Sequence, residues 1–476
     1  MATAATAELG IAGVTTAPLY ADPYYMPEKI VENNLVKAKT TCLYPPFEGT
    51  GSSSSTPYQW EVPRDPNWWV DAELVVTGRM RVAMKHKMTG VASNWVQTNK
   101  DEIGHGTNNV KYGLIDDIAQ TMWSKVGIEA NGIPVYDPNI KPYPFRWKFE
   151  SILNFEANKK NRDFKYSMNY IREKGGRADN TALTTASKER FNQLAKDTFT
   201  DFEVVLHTDL ISMDNQIPPN NGLRLVLERS PDSFIFIQDK TWAATLAAGE
   251  NKTTPTLPTL ELKHVELKVV KSQPSTNRRR SGLAPMTMGR IREIPILPNN
   301  TIFNFTNLFR GEDLPQQVLV TLLPQKAWNG DIQYDPFHWT KPNILEAYLL
   351  VDGVDREPMV KYSNVKKGEE GYGDLDMYKS TMRAAGSVYL SRDGTLDIDK
   401  DEWSNDTFFL AFDRSPGKNN SLSTIFRPKP GQHMDLVLHL QKAMEETYIV
   451  LVYGIYKTFV EFGADGSLNR VPHIIC

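Results

Sequence analysis

Few residues in this chain have both the type and the spacing that chemistry requires. The sharpest case is His207-Thr208-Asp209, an H-x-D inside the strand-like run DFEVVLHTDL (201–210). In a strand, residues i and i+2 project to the same side. An imidazole and a carboxylate so placed are the local signature of a 2-His-1-carboxylate iron site, which would make the protein a jelly-roll iron-dependent oxygenase. The distal ligand would then be His264, His433 or His439. The alternation argues the other way. Phe202, Val204, Leu206 and Leu210 take one face, so His207 and Asp209 share the polar face with Glu203. A metal inside a barrel needs the reverse, and the pair reads as a solvated or interface His/Asp pair.

Asp397, Asp399 and Asp401 are spaced like the start of an EF-hand loop. That loop needs glycine at its sixth position and a bidentate acid at its twelfth, which here are Glu402 and Phe408. The run reads as an acidic solvated turn. Arg278-Arg279-Arg280 reads as exposed linker, with an import signal or a contact to an acidic partner as its functional alternatives. The chain has no G-x-x-x-x-G-K-[ST] or G-x-G-x-x-G phosphate loop, no G-x-S-x-G elbow and no C-x-x-C. No catalytic, cofactor-binding or metal residue is assigned from the sequence, no cofactor is expected, and the chain reads as a non-enzyme.

The elements around these residues say the same thing twice. VGIEANGIPVYDP (126–138) and AYLLVDGVDREP (347–358) each run from an apolar strand into a turn, Asn131-Gly132 and Asp352-Gly353, and close on a proline. Asn-Gly and Asp-Gly between apolar runs are strong hairpin signals, because both central residues of a type I′ turn need positive φ. IPPNNGLRLVLE (217–228) is echoed by RPKPGQHMDLVLHL (427–440). The runs HVELKVV (264–270) and YIVLVYGIYKTF (448–459) then end the two halves. Val70, Ala72, Leu74, Val76, Met80, Val82 and Met84 alternate with charged residues, as in a strand packed on one side. Many short strands with regular turn signals predict an all-β chain of two tandem jelly-roll β-sandwich domains, with short helices in the inter-strand loops.

The expected layout is an N-terminal arm and flexible connector over 1–57 and a first jelly roll over 58–275. A crossing over 276–293, a second jelly roll over 294–463 and a C-terminal tail over 464–476 complete it. The chain, 476 residues long, is too large for one core. A net charge of −3 gives no global argument for wrapping nucleic acid, and two cysteines cannot make a disulfide framework. No stretch approaches the length of a bilayer span.

The run RGEDLPQQVLVTLLPQKAWNGDIQYDPFHWTKPNILEAYLLVDGVDREP (310–358) resembles the second jelly roll of double jelly-roll major capsid proteins of the Polinton, adintovirus and virophage group. The matching landmarks are Leu314-Pro315, Trp328-Asn329-Gly330, Asp335-Pro336-Phe337, Val351-Asp352-Gly353 and Pro358. In the first half, LIDDIAQTMWSKVGIEANGIPV is similar to that family's helix and hairpin. YPFRWKFESILNF (143–155) stands where the family has a Tyr/Arg/Glu-containing helix. The resemblance covers roughly residues 60–462. It implies a hexon-like capsid protein that forms homotrimers with a hexagonal outline and tiles an icosahedral shell around a DNA genome. The implied partners are other copies, neighbouring capsomers, penton and minor capsid proteins, with room for an interior contact to DNA. The implied location is the virion, after assembly in the host nucleus or cytoplasm. Beside the oxygenase, a receptor- or carbohydrate-binding sandwich is the other alternative, with Trp68, Trp69 or Trp339 as exposed aromatics.

Overall fold

A computed structural model describes residues 36–47, 56–83, 112–136, 143–155, 160–164, 183–196, 198–212, 216–240, 257–274, 282–311, 314–352, 355–363, 374–386, 396, 398–414, 433–470 and 474–475. Its strands fall into two groups that pair only within themselves. The first holds β1 (Val36–Tyr44), β2 (Tyr58–Val62), β3 (Trp69–Val70), β4 (Val75–Ala83), β5 (Tyr112–Leu114), β6 (Trp123–Ala130), β7 (Ile133–Tyr136), β8 (Thr200–Val205), β9 (Leu223–Arg229), β10 (Phe236–Gln238) and β11 (Thr259–Pro274). The second holds β12 (Gly282–Ile296), β13 (Ile302–Gly311), β14 (Gln317–Pro324), β15 (Ile344–Val351), β16 (Asp355–Ser363), β17 (Leu410–Asp413), β18 (His433–Leu440), β19 (Tyr448–Phe462), β20 (Leu468–Arg470) and β21 (Ile474–Ile475).

Sheet order repeats between the groups. The first sandwich pairs β1-β11-β4-β8 with β2-β9-β6-β7, and the second pairs β12-β19-β14-β17 with β13-β18-β15-β16. Each half is therefore a jelly roll, and the chain is a double one. Alternation supplies the cores. Val76, Met80 and Val82 of β4 and Leu223, Leu225 and Leu227 of β9 are buried. In the second half Phe309 of β13 meets Tyr456 of β19 edge to face. The small pair β5-β10 lies outside both sandwiches, and among the described residues no helix is long and apolar enough to cross a membrane.

The opening strand of each half begins earlier than the alternation suggests. β1 lies inside the expected arm and pairs with β11 from Val36↔Pro274 to Tyr44↔Leu267. β12 occupies much of the expected crossing and pairs with β19 over its whole length, Gly282↔Phe462 to Ile296↔Tyr448. Both are sheet edges. An edge tolerates exposed residues and prolines such as Pro285, which from sequence reads as linker. The expected tail also carries structure, since β20 joins β19 and β21 joins β13.

The two repeated turns share an atomic plan. Ala130 pairs with Ile133 around Asn131 (φ 55°) and Gly132 (φ 81°). Asn131 N–H donates to the Gly222 carbonyl at 2.9 Å, and Gly222 N–H returns to Asn131 Oδ1 at 3.0 Å. In the second half Asp352 (φ 53°) N–H donates to the His433 carbonyl, and His433 N–H returns to Asp352 Oδ1, both at 3.1 Å. Val351 pairs with Asp355 there, so three residues separate the strands rather than two. Gly353 lies outside the described residues. Each turn residue ties its hairpin to the start of the neighbouring strand.

Candidate functional site

Buried aromatic and charged side chains of both jelly rolls meet on the seam between them, around one helix. After the four-residue turn α1 (Ile118–Thr121), the chain forms α2 (Tyr143–Asn154). Proline at its second residue suits a first turn, where the missing N–H costs nothing. Ten of its twelve residues are buried, Arg146 and Glu150 among them, so the helix is covered on nearly all sides. The second jelly roll covers one of them. Phe145 stacks on Trp328 at 5.0 Å and meets Phe337 at 5.5 Å. Phe149 stacks on Tyr453 of β19 at 5.3 Å and packs on Trp339 at 5.0 Å. Each such aromatic pair contributes about 0.5–1.5 kcal/mol beyond its buried area.

Charges are locked into this apolar seam. Arg146 and Glu150, one helical turn apart, pair at 2.7 Å. Arg146 Nη1 also donates to Asp209 Oδ1 at 2.7 Å, and Gly289 N–H donates to the same oxygen at 3.0 Å. Arg290 Nη1 donates to Asp209 Oδ2 at 2.6 Å. The second jelly roll thus reaches Asp209 through β12. It reaches Glu150 through Tyr453, whose hydroxyl donates at 2.7 Å. His207 Nδ1 sits 2.7 Å from the other Glu150 oxygen. Burial would raise the Glu150 pKa, but Arg146, His207 and Tyr453 outweigh it and hold the carboxyl at about 2. Burial and the Glu150 charge push the Tyr453 phenol well above its ordinary range. Gly289 leaves room for this contact, because a Cβ there would meet the Tyr453 ring at 2.8 Å.

A second charged cluster stands beside the first. Lys148 Nζ is 3.2 Å and Arg190 Nη1 3.7 Å from Asp116. Burial opposes ionisation of Asp116, yet Lys148 and Arg190 pull its pKa below the usual value. Asp117, in the left-handed region at φ 49°, accepts from Trp147 Nε1 at 2.7 Å, and its other oxygen has no hydrogen-bond partner. Burial first, and the Asp116 charge second, raise Asp117 to about 7. Asp335 of the second jelly roll is also raised by burial and feels Arg190 and Lys148. Lys160 is brought down to about 8 by burial and by Lys148.

The seam has a third tie, made by neutral groups. Asn221 is 2% exposed. Its Nδ2 donates to the Gly466 carbonyl at 2.8 Å, and its Oδ1 accepts from Leu468 N–H and Asn131 Nδ2, both at 2.9 Å. Asn220 Nδ2 adds a bond to the Asp465 carbonyl at 2.7 Å. The first repeat's hairpin is thereby joined to the turn before β20. Asn221→Ala strands several buried groups at about 1–3 kcal/mol each. It is expected to lower the urea midpoint strongly, whereas Asn220→Ala, on a more exposed residue, lowers it little. Equal effects would count against the buried hub.

The residues singled out from sequence take other roles. His207 and Asp209 are not a solvated pair: Asp209 is fully buried, and both its oxygens are taken by arginines. Period-2 reasoning stops short of it, because β8 ends at Val205 and Asp209–Ser212 is a 3-10 turn. Among the described residues no three His, Cys, Asp or Glu side chains gather as a metal site would need. Asp399 caps the helix Lys400–Asn405, accepting from Glu402 N–H at 2.8 Å, while Asp397 and Arg278–Arg280 lie outside the described residues. Trp69 and Trp339 are buried, so they offer no exposed aromatic platform. Sequence reasoning missed Arg290 and Tyr453. The Arg146/Glu150 spacing was the available sign of a helix with a charged stripe.

No protein-family model matches the sequence, and no curated protein does. Solved structures do. A chain in the cryo-EM structure of the Sputnik virophage aligns with TM-score 0.58 at 8% identity, covering 94% of this chain and 91% of that one. PBCV-1 VP54, fitted into a reconstruction of Sputnik, aligns with TM-score 0.53 at 8% identity, over 93% and 99%. The mavirus major capsid protein aligns with TM-score 0.49 at 10% identity, over 95% and 94%. Both jelly rolls and the seam between them fall within the first two alignments, so this chain has the double jelly-roll fold that the Sputnik chain and PBCV-1 VP54 also carry.

Proposed function

We propose that this chain is a hexon-like major capsid protein, which forms homotrimeric, pseudo-hexameric capsomers that tile an icosahedral shell around a DNA genome. The carrying observation is the coupling of two sandwiches with one strand order, through α2, the Asp209 ion network and the Asn221 tie. One chain then presents two near-equivalent units, and threefold symmetry turns three chains into six. The likeness in fold to a chain of the Sputnik virophage particle supports this reading. The role is structural and needs no catalysis. Its partners are other copies, neighbouring capsomers, penton and minor capsid proteins, with residues 1–35 and Arg278–Arg280 as the segments to test for contact with DNA. Its place is the virion, after assembly in the host nucleus or cytoplasm.

Negative-stain imaging and native mass on one purified sample test the proposal. A particle of three times the 53.9 kDa chain with a hexagonal outline is expected. A compact monomer that persists across salt and concentration would overturn it.

A further inference from the structure

Corresponding sheets of the two jelly rolls differ on one face. In the second, the outward side of β12-β19-β14-β17 carries Leu319, Thr321 and Leu323 on β14 and Ile449, Leu451 and Tyr453 on β19, all buried. α2 covers part of that face through Phe149 and Glu150. In the first, the outward side of β1-β11-β4-β8 carries Thr77, Arg79, Lys263, Asp201 and Glu203, all exposed or half-buried. A groove of about 810 Å³ runs along it, lined by Thr77, Arg79, Asp201, Glu203 and His264 of the sheet and, on its other side, by Arg162 and Asp163 of the chain's own helical turn Lys160–Phe164. A bulge shapes the groove: the register shifts between Lys263 and Glu266, with His264 at φ 50°. At the sheet edge Leu43, opposite Lys268, is 57% exposed, one of few large apolar side chains left open among the described residues.

The repeat also supplies a counterpart of α2. Among the described residues, α2 is the first helix between β7 and β8, and the helix Asp374–Ala384 is the first between β16 and β17, which hold the same sheet positions. Met377, Thr381 and Met382 bury one side of that helix, while Leu375, Asp376 and Arg383 remain exposed on it.

We infer that the outward face of β1-β11-β4-β8 seats the helix Asp374–Ala384 of a second copy, as the corresponding face of the second jelly roll seats α2 within the chain. This rests on the trimeric reading above and names the contact that reading leaves open. Within the chain the contact is apolar with buried ion pairs. Between chains it is polar and solvated at its rim, so it weakens with salt. The chain is thereby coupled tightly to itself and adjustably to its neighbours.

The test uses the full-length protein in sedimentation and native mass measurements. Arg79→Glu combined with Lys263→Glu changes two exposed side chains, and Leu375→Asp changes the opposing helix. Each is expected to weaken trimerisation at least 100-fold while leaving the urea midpoint of the monomer within error. Lys442→Glu, on an exposed residue elsewhere, leaves the trimer intact. Trimers of undiminished strength in both variant proteins would overturn the assignment while sparing the capsomer reading. A wild-type chain that is itself monomeric under all conditions would overturn both.

Discussion

Asp209→Ala is expected to destabilise the protein by about 3–5 kcal/mol, because it leaves Arg146 and Arg290 buried without their shared counter-charge. Glu150 still pairs with Arg146, so Arg290 bears most of the loss. The unfolding transition in urea should move to a much lower midpoint and split in two, since Asp209 belongs to one jelly roll and Arg290 to the other. Asp201→Ala is the matched control. Its partner Arg79 is 54% exposed, and such pairs contribute about 0–1 kcal/mol. Indistinguishable midpoints for the two variants would refute a structural role for the buried network.

The second large effect depends on pH. Asp117 is held at about 7 in the folded protein, against an ordinary value of 3.8. Its proton is bound more tightly folded than unfolded, so its contribution to stability is full below about 3.8 and lost as pH rises through about 7. Glu150, held at about 2, has the opposite sign: its contribution is present above 4.5 and lost as pH falls through about 2. Asp117→Asn keeps an acceptor for the Trp147 N–H and removes the buried charge. At about 1.4 kcal/mol per unit, the stability gain at pH 8.5 is on the order of 4 kcal/mol, fading toward pH 4. Urea unfolding of both proteins across that range measures the difference. A difference that does not change with pH would show that Asp117 does not titrate in the seam.

The fold was legible where one face of a strand is buried and the other wet. β4 and β9 show such alternation, and the repeat of Asn131 and Asp352 disclosed the doubling. The edges β1 and β12 were not legible: β1 buries too little to leave a pattern, and Pro285 of β12 mimics a linker. The seam was harder still, because its charged residues come from seven separate segments that only the fold gathers. Sequence parity put Asp209 on a wet face, and a 3-10 turn returned it to the interior. One difference was visible yet carried no obvious meaning. β11 alternates Leu260, Leu262, Leu267 and Val269 with charges, whereas β19 is apolar from Ile449 to Tyr453 without a break. A continuous run marks a strand covered on both sides.

β19 also bears on the order in which the molecule is made. It pairs with β12, β14 and β20, so the sheet of the second jelly roll has no centre until residues 448–462 have left the ribosome. The first jelly roll likewise waits for β11 to close on β1, more than two hundred residues upstream. Contacts so distant in sequence form slowly. The Asn221 tie needs Gly466 and Leu468 and therefore comes later still. Until those residues are out, a nascent chain holds its two jelly rolls together only through the earlier contacts of α2 and Arg290, and the seam is incomplete.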